Sequence, residues 1–305
     1  MDGSTTRYYT LNQYIQEQFG QKLYKVLLNG NFTCPNRDGT VGTGGCIFCS
    51  TKGSGDFACD GDLSIAEQIE QGKKMVKNKK EGQRYIAYFQ AFTNTYGPVE
   101  YLRKIYTEAI EHPDIAVLAI GTRPDCLPED VLDLLEELNR IKPVWVELGL
   151  QTIHEETAGF IRRGYPLSVF QQAVEQLHRR QIDVVVHLIL GLPNETNHMI
   201  LESIEYLNQL PIQGIKLSLL HILKNTDLAG YYEQHPFHVY SMNEYVDLVA
   251  DCIAHLREDI VLHRLTGDGP KELLVAPLWS CKKRVVMNTI HKKLKDDNII
   301  QGCRK

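Results

Sequence analysis

At 305 residues and a formal charge of −5, the chain is long enough to bury a large core and too acidic overall to bind polyanions across its whole surface. No apolar run reaches the ~20 residues of a membrane-spanning helix, and the amino terminus has no apolar core of the signal-peptide kind. A cytoplasmic protein is expected, whose eight cysteines serve metal or redox chemistry better than a disulfide framework.

In chain order, residues 1–20 read as a polar lead with one or two amphipathic turns carrying Leu11, Tyr14, Ile15 and Phe19. A strand over residues 22–28 follows, and directly after it comes Cys34-Pro-Asn-Arg-Asp-Gly-Thr-Val-Gly-Thr-Gly-Gly-Cys46-Ile-Phe-Cys49. Its glycines permit the positive φ angles that a tightly wrapped loop needs. The short Cys46–Cys49 spacing lets two thiolates reach one metal centre while the loop folds back to deliver Cys34. Three thiolates on a four-iron cluster leave one iron open to a ligand that is not protein. Zinc is the competing reading, because Cys59 would close a tetrahedral set of four. Two features favour iron. The loop follows the first strand of a larger array instead of stapling a small module, and Phe48 between the paired thiols suits the flank of a planar group.

Ser64, with Glu67 three residues later, reads as a capping box opening a helix to about residue 79. Beyond it, apolar runs at 85–89, 115–120, 144–150, 184–190 and 215–220 alternate with helical patterns at 99–111, 129–140, 167–180 and 195–207. Runs so continuously apolar are buried on both faces, which predicts parallel strands in a βα-wound fold. No Gly-x-Gly-x-x-Gly follows the first strand, so an open dinucleotide-binding sheet gains no support. Polar residues instead recur where successive strands end: Gln90, Thr122, Arg123, Gln151, His187 and His221. In a barrel those ends share one face, where chemistry is placed.

The expected architecture is α/β: a partial (β/α)6 TIM-type barrel over residues 21–225 after a lead of 1–20, with a C-terminal α/β extension over 226–305. That extension reads as a helix at 243–257, a strand-like run at 260–265 and a long helix at 280–297. Residues 281–305 carry eight Lys and Arg against two Asp, which leaves −11 on the rest of the chain.

The thiol loop resembles the cluster loop of radical S-adenosylmethionine (radical SAM) enzymes. Its long first spacing is similar to the branch related to the Elongator catalytic subunit and, within it, to the YhcC/YtqA-type group. The likeness runs over most of the chain in ordered blocks: Asn31-Phe-Thr-Cys-Pro-Asn-Arg-Asp-Gly39, Tyr88-Phe-Gln-Ala-Phe-Thr-Asn-Thr-Tyr96, Gly121-Thr-Arg-Pro-Asp-Cys126, Glu147-Leu-Gly-Leu-Gln-Thr152, Gly191-Leu-Pro193 and His263-Arg-Leu-Thr-Gly-Asp268. It implies a barrel of the radical SAM kind, with Cys34, Cys46 and Cys49 holding a [4Fe–4S] cluster. The amine and carboxylate of S-adenosylmethionine would chelate the fourth iron. Reductive cleavage of the sulfonium then yields a 5′-deoxyadenosyl radical, with electrons from a donor such as flavodoxin or ferredoxin. Cys59, Cys126, Cys252, Cys281 and Cys303 read as ordinary buried or surface thiols. Of these, Cys281 is the one placed to reach the barrel mouth.

Such a cofactor needs three kinds of partner. Phe48, with the strand ends near Leu190 and Leu219-Leu220, is expected against the adenine, and Gln151 and Glu147 at the ribose hydroxyls or the amine. By the resemblance, Arg163 falls at the carboxylate, which a guanidinium fork binds bidentately. Gln90, Asn94, Thr122 and Arg123 lie at neighbouring strand ends, facing cofactor or substrate. Glu147 reads equally as an inward residue paired with a neighbour such as Arg123, and His187 as a satisfied interior histidine. Lys216 and His221 flank the sixth strand, where polar residues face the radical. Asp268, in a turn with Arg264 and Thr266, is a candidate proton acceptor. Lys216, His221 and Asp268 are therefore the expected catalytic groups.

The basic tail points to an anionic partner, whereas Lys73, Lys74, Lys77, Lys79 and Lys80 read as a solvated helix end. Phe92, Tyr96 and Trp279 suit a base drawn from its stack. The YhcC/YtqA-type resemblance implies tRNA as substrate, modified at the wobble uridine of the anticodon. The implied step converts 5-carboxymethylaminomethyl-(2-thio)uridine to the 5-aminomethyl form, before a separate tRNA methyltransferase acts. A fitting chemistry is hydrogen abstraction from the glycyl CH2, oxidation to an imine, and hydrolysis to glyoxylate and the amine. No acetyl-CoA-using domain is visible after the barrel, so acetyl transfer is not expected. The competing readings are a radical SAM enzyme acting on a protein or small metabolite, and a zinc-stapled nucleic-acid-binding protein.

Overall fold

Strands form where aliphatic and β-branched residues run unbroken, and helices where apolar positions recur every three or four residues. The computed structural model describes residues 6–53, 55, 58–59, 61–76, 83–267 and 269–304. It opens with α1 (Leu11–Phe19), β1 (Tyr24–Leu28), α2 (Ile65–Met75), β2 (Tyr85–Phe89), α3 (Val99–Glu111), β3 (Ile115–Thr122) and α4 (Glu129–Asn139). The middle comprises β4 (Val144–Gln151), α5 (Glu155–Phe160), α6 (Leu167–Arg179), β5 (Asp183–Leu190), α7 (Asn197–Asn208) and β6 (Gly214–Leu219). Then come β7 (Ile222–Leu223), α8 (Asp227–Gln234), α9 (Met242–His255), β8 (Val261–Arg264), β9 (Leu274–Ala276) and α10 (Lys283–Asp296).

Seven strands form one parallel sheet in the order β1-β2-β3-β4-β5-β6-β8, curled into a half-barrel. Six of these are the expected strands. The seventh comes from the tail, with β8 running parallel to β6 and Val261 opposite Gly214. Strands β7 and β9 pair separately as an antiparallel ribbon.

The two faces of the sheet differ. On the convex face, Leu28, Phe89, Ile120, Val146, Leu148, Val186 and Ile215 pack against Leu102, Leu135, Val174, Ile204 and Val249 of the covering helices. On the concave face, Ile86, Tyr88, Val117, Ala119 and Trp145 form a smaller cluster with Ile15, flanked by Leu11, Tyr14 and Phe19. Helix α1 thus plugs the concave side of the sheet. Thr10 caps its start, and Gly20, with φ of 67°, ends it in a left-handed turn that a side chain would disfavour. The Tyr14 ring lies 5.9 Å from Trp145, and its hydroxyl donates to Asp183 at 3.2 Å. The one or two turns expected of the lead are this nine-residue helix.

Element ends follow their caps. The capping box of Ser64 and Glu67 opens α2, which ends at Met75; Lys77, Lys79 and Lys80 lie outside the described residues. Helix α7 begins at Asn197 because Thr196 caps it, later than the apolar spacing suggests. Helix α10 begins at Lys283 because a 3₁₀ turn takes Leu278–Cys281. Helices α5 and α8 are too short to show a period, and sequence reading missed both. No helix among the described residues is long and apolar enough to cross a membrane.

Candidate active site

The thiol loop leaves β1 and is shaped by backbone bonds rather than by regular structure. Arg37 N and Asp38 N donate to Cys34 O, Gly45 N to Asn36 O and Cys49 N to Cys46 O. Ile47 N donates to Ile161 O, and Phe92 N to Gly53 O, which ties the loop to the end of α5 and to the segment after β2. At Gly45, φ is 73° and a Cβ would come within 2.9 Å of Arg37 Nε, so glycine is required twice over. Buried Asn36 donates to Arg162 O at 2.7 Å and to Cys46 Sγ at 3.5 Å.

Cys34, Cys46 and Cys49 line one cavity of about 960 Å³ at the C-terminal ends of the parallel strands. That volume is at the upper end of the roughly 300–1,000 Å³ typical of ligand sites. The Cys46 and Cys49 thiols hydrogen-bond to one another. That bond, helped by Asn36 and the Arg123 and Arg37 cations, lowers Cys46 to about 7. The same bond, with burial, pushes Cys49 up. Cys46 is thus poised to ionise, as a metal ligand must. Cys59, the fourth thiolate a zinc site would need, instead donates to Gln68 O at 3.7 Å within the core. Three thiols opening on a roomy cavity suit a cluster with an unfilled position, and do not suit a closed tetrahedral ion.

Of the expected cofactor residues, Phe48, Gln90, Thr122, Arg123, Glu147, Gln151 and Arg163 line this cavity, as does His221. Gln151 ends β4 with φ of 69°, at a register shift between β4 and β5. A left-handed residue at a bulge re-aims its side chain, and this one joins the cavity wall. Three expectations need correcting. Leu190 is buried in the convex core, and its neighbour Ile189 lines the cavity instead. Asn94 is fully buried, its amide donating to Gly121 O at 2.7 Å, so it shapes a strand end without facing ligand. Lys216 is buried behind the wall and does not line the cavity. Asp268 lies outside the described residues.

The two arginines are committed to the protein. Arg163 donates to Tyr165 O at 3.0 Å, Leu150 O at 3.3 Å, Thr152 O at 2.6 Å and Glu155 Oε2 at 3.1 Å. Its fork staples the turn after β4, which leaves no bidentate edge for the carboxylate expected there. Arg123 forks onto Asp125 at 2.9 and 2.6 Å, not onto Glu147, and donates to Arg163 O at 3.0 Å. Thr122 is likewise spent on Thr95 Oγ1 at 2.5 Å.

Glu147 sits deeper, at the centre of a buried charge cluster. Its Oε1 is 3.1 Å from Lys25 Nζ, and its Oε2 meets Lys216 Nζ and lies 2.9 Å from His187 Nε2. The cationic neighbours hold the carboxylate well below its ordinary range despite burial. Burial and the Lys216 ammonium push His187 down to about 4. The same burial, with Lys25 and Arg264 nearby, lowers Lys216. His187 and Lys25 reach the cavity; sequence reading missed Lys25, although a lysine inside the apolar run 24–28 was the available signal.

Cys281 also lines the cavity, together with Lys271 and Lys283 at its rim. Among the aromatics, Phe92 lines it, with the Arg37 guanidinium 5.4 Å from its ring. Tyr96 opens on a second cavity, and Trp279 donates to Tyr240 O at 2.8 Å while packing on the core. The basic tail is split. Lys292, Lys293 and Arg304 pair with Asp296, Asp247, Asp297 and Asp251; Lys282, Lys283 and Arg284 are exposed at the start of α10, where Lys283 lines the mouth.

The Radical SAM superfamily profile matches residues 37–207, and that of the Radical_SAM C-terminal domain matches 212–296. The uncharacterised protein YtqA of Bacillus subtilis is 45% identical over 296 residues, 97% of this chain and 92% of that protein. Protein YhcC of Escherichia coli is 39% identical over 271 residues, 88% and 86% of the two. A tRNA uridine(34) acetyltransferase of Methanocaldococcus jannaschii is 24% identical over 199 residues, 64% of this chain and 36% of that protein. Among solved structures, the archaeal Methanocaldococcus infernus Elp3 with its N-terminus deleted superposes with a TM-score of 0.66 at 16% identity. It covers 92% of this chain, which spans 64% of that one, a likeness of fold.

Proposed function

The chain belongs to the radical SAM superfamily, and from that membership we propose that it modifies the wobble uridine of tRNA, converting 5-carboxymethylaminomethyl-(2-thio)uridine to its 5-aminomethyl form. It is an enzyme whose cofactors are a [4Fe–4S] cluster and S-adenosylmethionine, related to the Elongator-type tRNA-modifying proteins. In this reading Cys34, Cys46 and Cys49 hold the cluster. When bound, the cluster and S-adenosylmethionine supply a carbon-centred radical able to take a hydrogen atom from substrate.

The chain's own residues position the reactants. Phe48, Ile189 and Leu219 give the cavity apolar walls for a nucleoside base, and Gln90 and Gln151 offer amides at the strand ends. His221 stands at the end of β6 as a proton carrier facing the substrate. Lys216, buried against Glu147, sets the charge of the floor and does not touch substrate. Arg163 acts as a positioning residue, holding the turn that carries Thr152 and Tyr165.

For the arm of the modified uridine, the glycyl CH2 would give up a hydrogen atom to the carbon-centred radical and then one electron to a one-electron acceptor of the flavodoxin or ferredoxin class, forming a C=N bond. Water adds across that bond, releasing glyoxylate and leaving the aminomethyl group. The electron donor is a flavodoxin or ferredoxin, and a tRNA methyltransferase consumes the product. Two observations support tRNA: a relative named for tRNA uridine(34), and the exposed cations Lys271, Lys282, Lys283 and Arg284 around the mouth. The reading is carried above all by three thiols that share one cavity with the Lys25 amine and its partner Glu147. Nucleoside analysis of tRNA from cells lacking the protein tests it. The 5-carboxymethylaminomethyl nucleoside should accumulate and the 5-aminomethyl form disappear; an unchanged profile overturns the assignment.

A further inference from the structure

The floor of the cavity gathers two lysines on one acid. Lys25 of β1 and Lys216 of β6 converge from opposite sides on Glu147 of β4, so that two lysine amines share one carboxylate. Both also stand over the Tyr88 ring, at 4.4 and 4.7 Å, and Lys216 donates to the Tyr88 hydroxyl at 3.2 Å. Burial disfavours the charged forms of both His187 and Lys216, which leaves Lys25 as the more exposed amine on this carboxylate. One lysine would serve to tie β4 to its neighbours, so the second calls for another explanation.

The two lysines are not equivalent. The Lys216 side chain is 3% exposed and lies behind the wall, whereas that of Lys25 is 24% exposed and faces the cavity that the three thiols share. Among the described residues, Glu147 is the one carboxylate within ion-pair distance of Lys25. The ammonium therefore keeps N–H donors directed at whatever enters. A carboxylate there would give the Lys25 ammonium a second partner beside Glu147, with Tyr88 as a planar backstop.

We propose that Lys25, backed by Lys216, is a carboxylate subsite that recognises the acid end of the substrate arm. The inference rests on the wobble-uridine reading given above. Holding the carboxylate at the floor points the adjacent CH2 back towards the thiol loop, where hydrogen abstraction takes place. It also explains how the enzyme would tell a carboxymethylaminomethyl arm from one that lacks the acid: the amine-only arm is a cation and offers Lys25 no anion.

The test is a binding comparison on the anaerobic holoenzyme with two synthetic anticodon stem-loops. One carries 5-carboxymethylaminomethyluridine at the wobble position, the other 5-methylaminomethyluridine, which lacks the acid. Wild type should bind the first on the order of tenfold more tightly, the scale of one charge-assisted hydrogen bond. Lys25→Met should abolish that preference, and Lys25→Arg, with its charge intact, should retain most of it and show that the position tolerates change. A preference that survives Lys25→Met, or no preference in wild type, overturns the subsite. So does a Lys25→Met protein that loses affinity for S-adenosylmethionine in the absence of RNA, since the carboxylate recognised would then be the cofactor's. A wild-type preference without conversion of the bound nucleoside would leave the subsite standing and defeat the proposed reaction.

Discussion

The two faces of the half-barrel sheet are made by alternate residues of the same strands, yet they obey different rules. On the convex side Val146 and Leu148 of β4 join an aliphatic core; between and beyond them, Glu147 and Gln151 face the cavity. In β5, Val186, Leu188 and Leu190 pack outward while His187 and Ile189 point in. Burial is almost as complete on both sides, but on one side it removes hydrocarbon from water and on the other it confines charge. The convex face therefore carries stability, and the concave face carries function at some expense of stability.

The contrast is tested most severely at the thiols. Cys34→Ala should reduce bound iron and S-adenosylmethionine cleavage to background while leaving the urea midpoint of the apo-protein near wild type. A large fall in that midpoint would show that the loop is structural and that the faces are not separable. Next in size is Glu147→Gln. Removing the shared carboxylate leaves Lys25 and Lys216 without their partner, and breaking such buried pairs costs about 3–5 kcal/mol. Urea unfolding should show that loss, and the double change Glu147→Gln with Lys216→Met should recover part of it. A cost under about 1 kcal/mol, the scale of exposed ion pairs, would mean that the floor is solvated.

The concave face should also make stability depend on pH in a way the convex face cannot. His187 is held down to about 4, below its ordinary value. Between those values the unfolded chain binds a proton that the folded one refuses. Its contribution is thus fully present above an unfolded value of about 6.5 and is lost as pH falls to about 4, by at most ~1.4 kcal/mol per unit. Glu147, lowered by its cations, adds a loss at still lower pH, as the medium passes through its depressed value. His187→Gln should flatten the stability profile between pH 6.5 and 4. An unchanged slope would place the titrating group elsewhere.

The convex face was legible because apolar runs and helical spacing state burial directly. Six strand positions were recovered to within two residues, as was the capping box of Ser64 and Glu67. The thiol loop was legible because its cysteine and glycine spacing has few other uses. The rest of the concave face was less so. Register decides which strand neighbour points inward, and one step separates Leu190 from Ile189. Whether a polar side chain faces ligand or protein depends on partners brought together by folding. Arg163 finds three backbone carbonyls in a turn that no local pattern announces, and Glu147 finds lysines from β1 and β6. The strand-like run at 260–265 was read, but its place as the seventh strand was hidden for a related reason: β8 is short and its position beside β6 is a long-range pairing.

The finest test uses two adjacent residues of β3. Ile120 is fully buried in the convex core, and Gly121 lines the cavity. Ile120→Val removes one methylene, which should cost about 0.5–1.5 kcal/mol in urea unfolding and leave S-adenosylmethionine binding unchanged. Gly121→Ala should do the reverse. A Cβ there would stand 3.4 Å from Phe89 O and 3.7 Å from the Tyr88 hydroxyl, ordinary contact distances, so the sheet accepts it. Replacing glycine within a strand also restricts the unfolded chain, which offsets any small strain. The added methyl nevertheless projects into the cavity, where it takes up space between Gln90 and Gln151 and should weaken cofactor binding several-fold. Equilibrium dialysis and urea melts on the two variants would separate the faces one residue apart. If both variants lost stability equally and bound S-adenosylmethionine alike, alternation along β3 would not divide packing from chemistry, and the comparison would fail where it is sharpest.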